Sequence, residues 1–286
     1  MEQSKTLVGV IGHPIKHSYS PFMHNTSFRM AGLDYVYLPF DIFASNLEDA
    51  MKGMVALGIK GFNVTLPFKE KIMDYLNDFS EESAVIGAVN TIVNEDGELK
   101  GFNTDVNGIY AVLEPYKEKI ENSTVSVIGA GGGARSVIFT LIRNFKPRKI
   151  NIINRTKEKA ESLDEYFAAK MLYDEIEAFE LVPPDIVELL NTSALIVNAT
   201  SIGMPPDEDD SPTTIADSFH KDQLVFDLIY NPLKTNFLKL AESQGAIALN
   251  GLKMFVRQGA KSFELWTGEQ MPEEEIYKLL LEELQK

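Results

Sequence analysis

The length, charge and composition of this chain exclude several classes of protein. With 286 residues the chain is too long for most single cores, so one large or two medium domains are expected. Its net charge of −15 argues against nucleic acid or an anionic membrane as the main partner. Its 44% hydrophobic and 24% charged residues are typical of a globular protein. There is no cysteine and the four histidines form no H-E-x-x-H pattern, so disulfides, thiolate chemistry and a metal site are not expected. The sequence has no apolar run long enough to span a bilayer and no signal-peptide pattern at residues 1–5, so we expect a cytoplasmic protein.

The first predicted strand leads into a turn that carries hydroxyl groups. Leu7–Ile11 is the strand, and Ser20 followed by Pro21 predicts a helix N-cap, with Gly32 ending the helix. Ser18 and Ser20 therefore lie in a turn, available to a ligand, although capping alone would also explain Ser20. Three histidines are expected to be packing or polar loop residues rather than catalysts: His13, His17 and His24.

The next segments predict a parallel sheet with a polar edge. Tyr35–Phe40 and Gly61–Thr65 are predicted strands, separated by an amphipathic helix, and Phe68–Leu76 is predicted to be a helix. Ligands of such sheets bind beyond the carboxyl ends of the strands, where this sequence places Asn63, Thr65 and Lys69.

A hairpin and a helix complete the first part. Asn90–Asn94 and Leu99–Asn103 flank Asp96-Gly97, a hairpin turn signal. A helix then runs from Asn103 to about Tyr116. Asp105 at its start is either a simple N-cap or a functional carboxylate, and the pattern alone leaves both open.

A glycine turn in the middle of the chain predicts a dinucleotide site. The buried strand Thr124–Ile128 is followed by Gly129, Gly131 and Ala134 in a G-x-G-x-x-A spacing, and Arg135–Ile142 is predicted to be a helix. The helix N-terminus would face the phosphates. The alternative is a purely structural glycine turn.

The end of the next strand favours NADP over NAD. An NAD site usually has an acidic residue there for the ribose hydroxyl, but none occurs from Ala134 to Lys157. The strand Lys149–Asn154 is followed instead by Arg155, Thr156, Lys157 and Lys159, and a guanidinium binds a 2′-phosphate well. A solvated basic helix start is the alternative.

The remaining segments alternate as in a doubly wound sheet. Predicted helices are Glu158–Ala169 and Asn236–Ser243, and predicted strands are Phe179–Val182, Ala194–Thr200, Leu224–Tyr230 and Ala246–Leu249. Two amphipathic helices follow, one after Gly251 and one from Pro272, whose buried face would be Ile276, Leu279, Leu280 and Leu284. We expect both helices to pack on the first domain, leaving a cleft between two lobes.

Nine short motifs, in order, make the chain resemble the shikimate dehydrogenase family over nearly its whole length. They are Gly12–Pro21, Asn63–Lys69, Gly87–Thr91, Gly101–Asp105, Gly129–Arg135, Asn154–Thr156, Asn198–Met204, Asp227–Pro232 and Gly251–Gln258. The resemblance implies an α/β fold with an N-terminal substrate domain (residues 1–104 plus 251–286) and a Rossmann-type NADP domain (residues 105–250). It also implies reversible reduction of 3-dehydroshikimate to shikimate by NADPH, in the pathway to chorismate and the aromatic amino acids.

The resemblance also implies roles for individual residues. Lys69 and Asp105 would be the catalytic pair. Substrate would be held by Ser18, Ser20, Asn63, Thr65, Asn90, Tyr230 and Gln258. The cofactor would be held by Gly129, Ala130, Gly131, Gly132, Gly133, Asn154, Arg155, Thr156 and Lys159, with Leu228 and Gly251 near the nicotinamide. Lys159 stands where the family often has a second arginine.

Two alternatives remain at this point. One is a quinate/shikimate dehydrogenase that also accepts NAD, and the other is a catalytically silent, ligand-sensing relative, against which the presence of both Lys69 and Asp105 argues. Glutamyl-tRNA reductase has a similar second lobe but needs a cysteine nucleophile, which is absent. We expect a monomer or homodimer that binds a small-molecule substrate and neither nucleic acid nor membrane.

Overall fold

The chain forms two compact units, which are described separately here. The computed structural model describes residues 5–286. One unit contains the described residues up to Asn107 together with Val256–Lys286, and the other is Gly108–Phe255. Residues 1–4, part of the segment searched for a signal peptide, lie outside the described residues. Over residues 5–286, none of the helices has the length and apolar character needed to cross a membrane.

The first unit contains a mixed six-stranded sheet. Its strands lie in the order β2-β1-β3-β5-β6-β4, parallel for the first three and antiparallel from β3 to β5 and from β5 to β6. The elements are β1 Thr6–Gly12, α1 Ser20–Ala31, β2 Tyr35–Asp41, α2 Leu47–Ala56, β3 Gly61–Val64, β4 Asp78–Phe79, α3 Glu81–Ile86, β5 Thr91–Glu95 and β6 Glu98–Phe102.

Both predictions for this sheet are confirmed, since β1, β2 and β3 are parallel and β5 and β6 form a hairpin. The hairpin turn at Asp96 and Gly97, both with positive φ, forces β5 and β6 to run antiparallel. On one face of the sheet, Phe62 and Ile92 pack with Met51 and Met54 of α2 in a buried core. The carboxyl ends of β1 and β3 meet at one edge, because Ile11 is in register with Val64.

The second unit is a doubly wound parallel sheet, as predicted. Its strand order is β12-β11-β10-β7-β8-β9, so the order reverses between β7 and β10, where dinucleotides bind in such folds. After α4 Asp105–Leu113, which leads into this unit, the elements are α5 Lys117–Ile120, β7 Thr124–Ile128, α6 Gly132–Thr140, β8 Lys149–Asn154, α7 Lys157–Met171, β9 Ile176–Glu180, α8 Val187–Asn191, β10 Leu195–Asn198, β11 Leu224–Asp227, α9 Asn236–Ser243 and β12 Ile247–Leu249.

The last two helices return to the first unit, as predicted from the sequence pattern. They are α10 Leu252–Thr267 and α11 Glu273–Leu284, and from Val256 onward the chain belongs to the first unit. Helix α11 packs against α1, and the Tyr35 hydroxyl donates to the carbonyl of Trp266 at 3.1 Å. Ile276 and Leu280 of α11 are fully buried, but Leu279 is 37% exposed and was wrongly assigned to the buried face.

Several predicted boundaries were wrong. The segment predicted as a helix over Phe68–Leu76 is a turn followed by a short 3₁₀ helix, Lys71–Tyr75, and the prediction missed β4 and α3. The third strand of the second unit lies at Ile176–Glu180 rather than Phe179–Val182. Helix α4 ends at Leu113, and a 3₁₀ turn rather than a continuing helix covers Glu114–Tyr116.

Candidate active site

A short ion pair lies at the polar edge of the first sheet. Lys69, in the turn after β3, places Nζ 2.5 Å from Oδ2 of Asp105, the first residue of α4. The side chains are 17% and 5% exposed, respectively, so the pair is shielded from water but Lys69 is still reachable. An ammonium with three protons uses one on this carboxylate and has others to offer a ligand. The pair is suited to proton transfer.

Asn90 holds the second oxygen of the same carboxylate. Its Nδ2 donates to Asp105 Oδ1 at 2.8 Å, and its Oδ1 accepts from the backbone N–H of Thr104 at 2.7 Å. Both oxygens of Asp105 are thus bonded to side chains from other elements, an arrangement that helix capping alone does not explain. Gln258 joins the cluster, with Oε1 accepting from Asn90 Nδ2 at 3.4 Å.

Three predicted hydroxyl groups lie at the carboxyl ends of β1 and β3. Ser18 Oγ accepts from the backbone N–H of Ser20 at 3.3 Å, so Ser18 supports the start of α1, and Ser20 is the first helical residue rather than the N-cap. Thr65 is attached to β1 through its N–H, which donates to the carbonyl of Ile11 at 3.0 Å. Within residues 5–286 the hydroxyls of Ser20 and Thr65 have no hydrogen-bond partner, which leaves them open to a ligand.

Asn63 differs from the other predicted ligand residues. Its side chain is 7% exposed, its Oδ1 accepts from the Tyr37 hydroxyl at 2.7 Å, and its Nδ2 lies 2.9 Å from Ser262 Oγ and 3.1 Å from Thr91 Oγ1. These partners occupy both its donor and its acceptor. The structure therefore places Asn63 in a buried network beneath Asn90 rather than among the open groups.

The glycine turn of the second unit has the geometry of a phosphate cradle. Gly129 has φ of 116°, and a Cβ there would lie 3.1 Å from the backbone of Ala199, so only glycine fits without strain. Around Gly131 there is open space, since an added Cβ would meet nothing within 4 Å. Helix α6 begins at Gly132, three residues before the predicted start, so Gly132 and Gly133 form its first turn and contribute free N–H groups.

Basic side chains follow the end of β8. Arg155 and Lys159 are exposed and form no ion pair within residues 5–286, whereas Lys157 between them pairs with Glu161 at 3.2 Å. Asn154 Nδ2 donates to the carbonyl of Thr156 at 2.8 Å, which shapes the turn. Positive charge at a helix N-terminus is unfavourable on its own and favourable beside an anion. These residues fit a 2′-phosphate.

A third part of the second unit is built by close backbone contact. A Cβ on Gly251 would lie 2.1 Å from the carbonyl oxygen of Leu228, so this approach requires glycine. Tyr230 stacks on Phe255 with ring centroids 4.0 Å apart. The predicted residues Leu228, Tyr230 and Gly251 are therefore brought together, while Ala130 lies half-buried in the glycine turn.

Sequence analysis gave no role to a buried carboxylate that shapes this part. Asp227 accepts from Asn198 Nδ2 at 3.1 Å, from the N–H of Ile229 at 3.1 Å and from the Thr235 hydroxyl at 2.7 Å. Burial raises the pKa of Asp227 to about 6, against the lowering effect of these bonds. An acidic residue at the end of a wholly apolar strand was the signal that could have identified it.

Two of the histidines predicted to be packing or polar loop residues are held by contacts within the first unit. His24 is fully buried and stacks on Tyr37 at a centroid distance of 4.5 Å, and burial lowers its pKa to about 3. His13 pairs with Asp41 at 2.6 Å. Within residues 5–286 no group of acidic or histidine side chains is arranged to hold a metal ion.

Comparison with known families matches most of the chain to three models. The shikimate dehydrogenase substrate binding domain matches residues 10–92, the shikimate/quinate 5-dehydrogenase model matches residues 112–232, and the shikimate 5'-dehydrogenase C-terminal domain matches residues 251–281. The NADP(+) shikimate dehydrogenase of Caldanaerobacter subterraneus subsp. tengcongensis is 43% identical over 288 residues, covering 99% of each chain.

Solved structures give the same result. A crystal structure of a shikimate dehydrogenase in complex with NADP⁺ is similar with a TM-score of 0.89 and 41% identity, covering 99% of this chain and 96% of that one. The shikimate 5-dehydrogenase of Thermus thermophilus, in complex with NADP(H) and shikimate, has a TM-score of 0.82 and 34% identity, covering 96% and 97%.

Proposed function

The chain belongs to the shikimate dehydrogenase family, and we propose that Lys69 and Asp105 are the catalytic pair with which it works. It is an NADP-dependent oxidoreductase of the shikimate pathway that interconverts 3-dehydroshikimate and shikimate. The observation that carries the catalytic assignment is the 2.5 Å contact between Lys69 Nζ and Asp105 Oδ2 in a shielded position.

During reduction of the ketone, the protein has to supply a proton to the carbonyl oxygen. A bound NADP would supply the hydride for reduction of the ketone and take it back in the reverse direction. Negative charge that develops on the ketone oxygen during reduction is met by a proton from Lys69 Nζ, and in the reverse direction Lys69 accepts the proton of the alcohol. Asp105 orients the ammonium and shares its proton. Asn90 keeps the carboxylate from rotating, because it holds the other oxygen at 2.8 Å.

We assign substrate binding to the polar groups around this pair. The open hydroxyls of Ser20 and Thr65, together with Ser18, suit the hydroxyl and carboxylate groups of shikimate, and Asn90 and Gln258 lie beside Asp105. Tyr230, in the second unit, completes the predicted set. Asn63 is assigned a supporting role beneath Asn90, because its own polar groups are taken by Tyr37 and other buried partners.

We assign cofactor binding to the second unit. The open space at Gly131 and the first turn of α6 fit the pyrophosphate, and the turn comprises Gly129, Ala130, Gly131, Gly132 and Gly133. The exposed guanidinium of Arg155, with Asn154, Thr156 and Lys159, fits the 2′-phosphate. Leu228 and Gly251 are assigned to the nicotinamide end.

A spectrophotometric assay with four substrate pairs tests the function. Shikimate and quinate are each offered with NADP⁺ and with NAD⁺, and formation of the reduced cofactor is followed. We expect shikimate with NADP⁺ to give the highest kcat/KM. Equal or faster turnover of quinate with NAD⁺ would favour the dehydrogenase of relaxed specificity, and no turnover with any pair would favour the ligand-sensing relative.

Domain roles, assembly and location complete the proposal. We assign substrate binding to residues 1–104 plus 251–286 and NADP binding to residues 105–250. The protein is proposed to act in the cytoplasm as a monomer or homodimer, without nucleic acid, in keeping with its charge of −15. Sedimentation equilibrium measures the oligomeric state.

A further inference from the structure

A buried serine on α10 lies at the centre of the polar network beneath the catalytic pair. Ser262 is 0% exposed. Its Oγ lies 2.9 Å from Asn63 Nδ2, 2.8 Å from Thr91 Oγ1 and 3.3 Å from Thr104 Oγ1, and it is 3.1 Å from the carbonyl of Gln258, to which it can donate. One hydroxyl thus contacts β3, β5, the residue before α4 and its own helix.

These partners are the immediate neighbours of proposed site residues. Thr104 precedes Asp105 and Thr91 follows Asn90. Gln258 lies one helical turn before Ser262, with Oε1 3.4 Å from Asn90 Nδ2. Displacement of Ser262 would therefore affect two groups of the site. One is the Asp105 carboxylate, and the other is the side-chain amide of Gln258, which is predicted to bind substrate.

The donors and acceptors of the network match each other. Asn63 Nδ2 can only donate, so Ser262 Oγ accepts there and keeps its own proton for the Gln258 carbonyl or for Thr91 Oγ1. Without the hydroxyl, Asn63 Nδ2 keeps only its longer contacts, 3.1 Å to Thr91 Oγ1 and 3.2 Å to the carbonyl of Asn90, and the contacts that tie α10 to Thr91 and Thr104 are lost. Hydrogen bonds lost from a buried network are costly, so the local structure would rearrange.

We infer that Ser262 is a positioning residue for the reaction: through one hydroxyl it fixes Gln258 for substrate and Asp105 for proton transfer. This inference rests on the proposed function. It implies that loss of the hydroxyl raises KM for shikimate, through Gln258, and lowers kcat, through Asp105. KM for NADP⁺ should not change, because the proposed cofactor residues lie in the other unit.

The test compares Ser262→Ala with Ser193→Ala in the full-length enzyme. Ser193 is also fully buried, with Oγ 2.8 Å from Ser126 Oγ and 2.7 Å from the carbonyl of Leu189, but it belongs to the second unit and has no proposed role in the reaction. Both variants should lower the melting temperature. Only Ser262→Ala should lower kcat/KM for shikimate, by about ten-fold, with KM for NADP⁺ within about two-fold of wild type.

A second pair of variants separates the hydroxyl from packing. Ser262→Thr and Ser262→Val impose nearly the same shape, and only the first keeps a hydroxyl. We expect Ser262→Thr to retain several-fold more kcat/KM for shikimate than Ser262→Val. Equal values for these two variants, or a Ser262→Ala enzyme no slower than Ser193→Ala, would overturn the inference while the wild-type activity stands. A wild-type enzyme inactive on shikimate would instead overturn the proposed function.

Discussion

The proposed role of Lys69 as the proton donor can be tested by substitution. Replacement by Met keeps most of the side-chain length but removes the proton donor, so kcat should fall by about 10²–10⁴-fold with KM for shikimate within a few-fold. Lys71→Met is the matched control, because Lys71 is two residues away, exposed and paired only with Asp74. Steady-state kinetics measures both. A Lys69→Met enzyme with near-normal kcat, and a deuterium isotope effect showing that hydride transfer limits the rate, would contradict the assignment.

Removal of Lys69 also leaves a buried carboxylate without its counter-ion, which destabilises proteins strongly. The double variant Lys69→Met/Asp105→Asn removes both charges. It should therefore be more stable to heat than Lys69→Met and yet no more active, because the two residues act as a unit in the reaction. Recovery of activity together with stability would mean that the first loss came from unfolding.

Arg155 can be tested against its neighbour Lys157. The guanidinium of Arg155 has no carboxylate partner within residues 5–286, while Lys157 is paired with Glu161. Arg155→Ala should raise KM for NADP⁺ by roughly ten- to a hundred-fold, the loss expected for a charge-assisted bidentate contact, and change KM for NAD⁺ little. Lys157→Ala should change neither. Equal weakening of both cofactors by Arg155→Ala would show that Arg155 does not bind the 2′-phosphate.

The candidate site residues that the sequence could indicate are those whose place in a strand or helix is itself informative. Lys69 follows a strand, Asp105 begins a helix and Arg155 stands where an acid was expected, so pattern and family motif singled out all three as candidates. Ser262 could not be found in this way, because on the buried face of an amphipathic helix a serine resembles a packing residue. Its partners at positions 63, 91 and 104 come together only in the folded sheet.

At the scale of elements, two segments of similar length were predicted with different success. Helix α9 was predicted with its observed bounds, Asn236–Ser243. The segment Phe68–Leu76 was predicted as a helix, but only Lys71–Tyr75 forms a 3₁₀ turn. Tertiary contacts decide such cases: the Val89 N–H donates to the carbonyl of Lys69 at 2.7 Å, which takes that carbonyl out of any helix.

The approach of α10 to the segment after β11 depends on one glycine. In Gly251→Ala the new methyl would lie 2.1 Å from the backbone oxygen of Leu228, so the backbone itself must move, at a cost of about 1–3 kcal/mol. KM for NADP⁺ should also rise, since Leu228 is assigned to the nicotinamide end.

Gly53 is the control for this substitution. It lies inside α2 with open space around its Cα, so Gly53→Ala should stabilise the protein by up to about 1 kcal/mol. Calorimetry should therefore give shifts of opposite sign for the two variants. A Gly251→Ala protein with unchanged melting temperature and KM for NADP⁺ would contradict the role assigned to this contact.

At the scale of the molecule, the chain passes between its two units inside helices. The division falls after Asn107 within α4 and after Phe255 within α10, a few residues beyond the predicted boundaries at 104/105 and 250/251. The first turn of α4 belongs to the first unit, and the first turn of α10 belongs to the second unit.

Each unit contains one buried titratable group whose pKa is displaced, and the two should affect stability in opposite directions. In the first unit His24 has a pKa of about 3, against 6.5 when unfolded, because its ring is fully buried among Tyr37, Phe28 and Trp266. Between those values the unfolded chain binds a proton that the folded protein excludes, so stability falls as the pH falls. From pH 7 to pH 5 this loss is about 2 kcal/mol.

In the second unit Asp227 has a pKa of about 6, raised by burial from 3.8. Between those values the folded protein binds a proton that the unfolded chain does not, so stability rises as the pH falls, by about 1 kcal/mol from pH 7 to pH 5. Denaturant titrations of wild type, His24→Phe and Asp227→Asn at both pH values measure each effect as a difference from wild type. On acidification His24→Phe should lose less stability than wild type and Asp227→Asn should lose more. Parallel behaviour of all three proteins would mean that neither group titrates in the folded state as its burial requires.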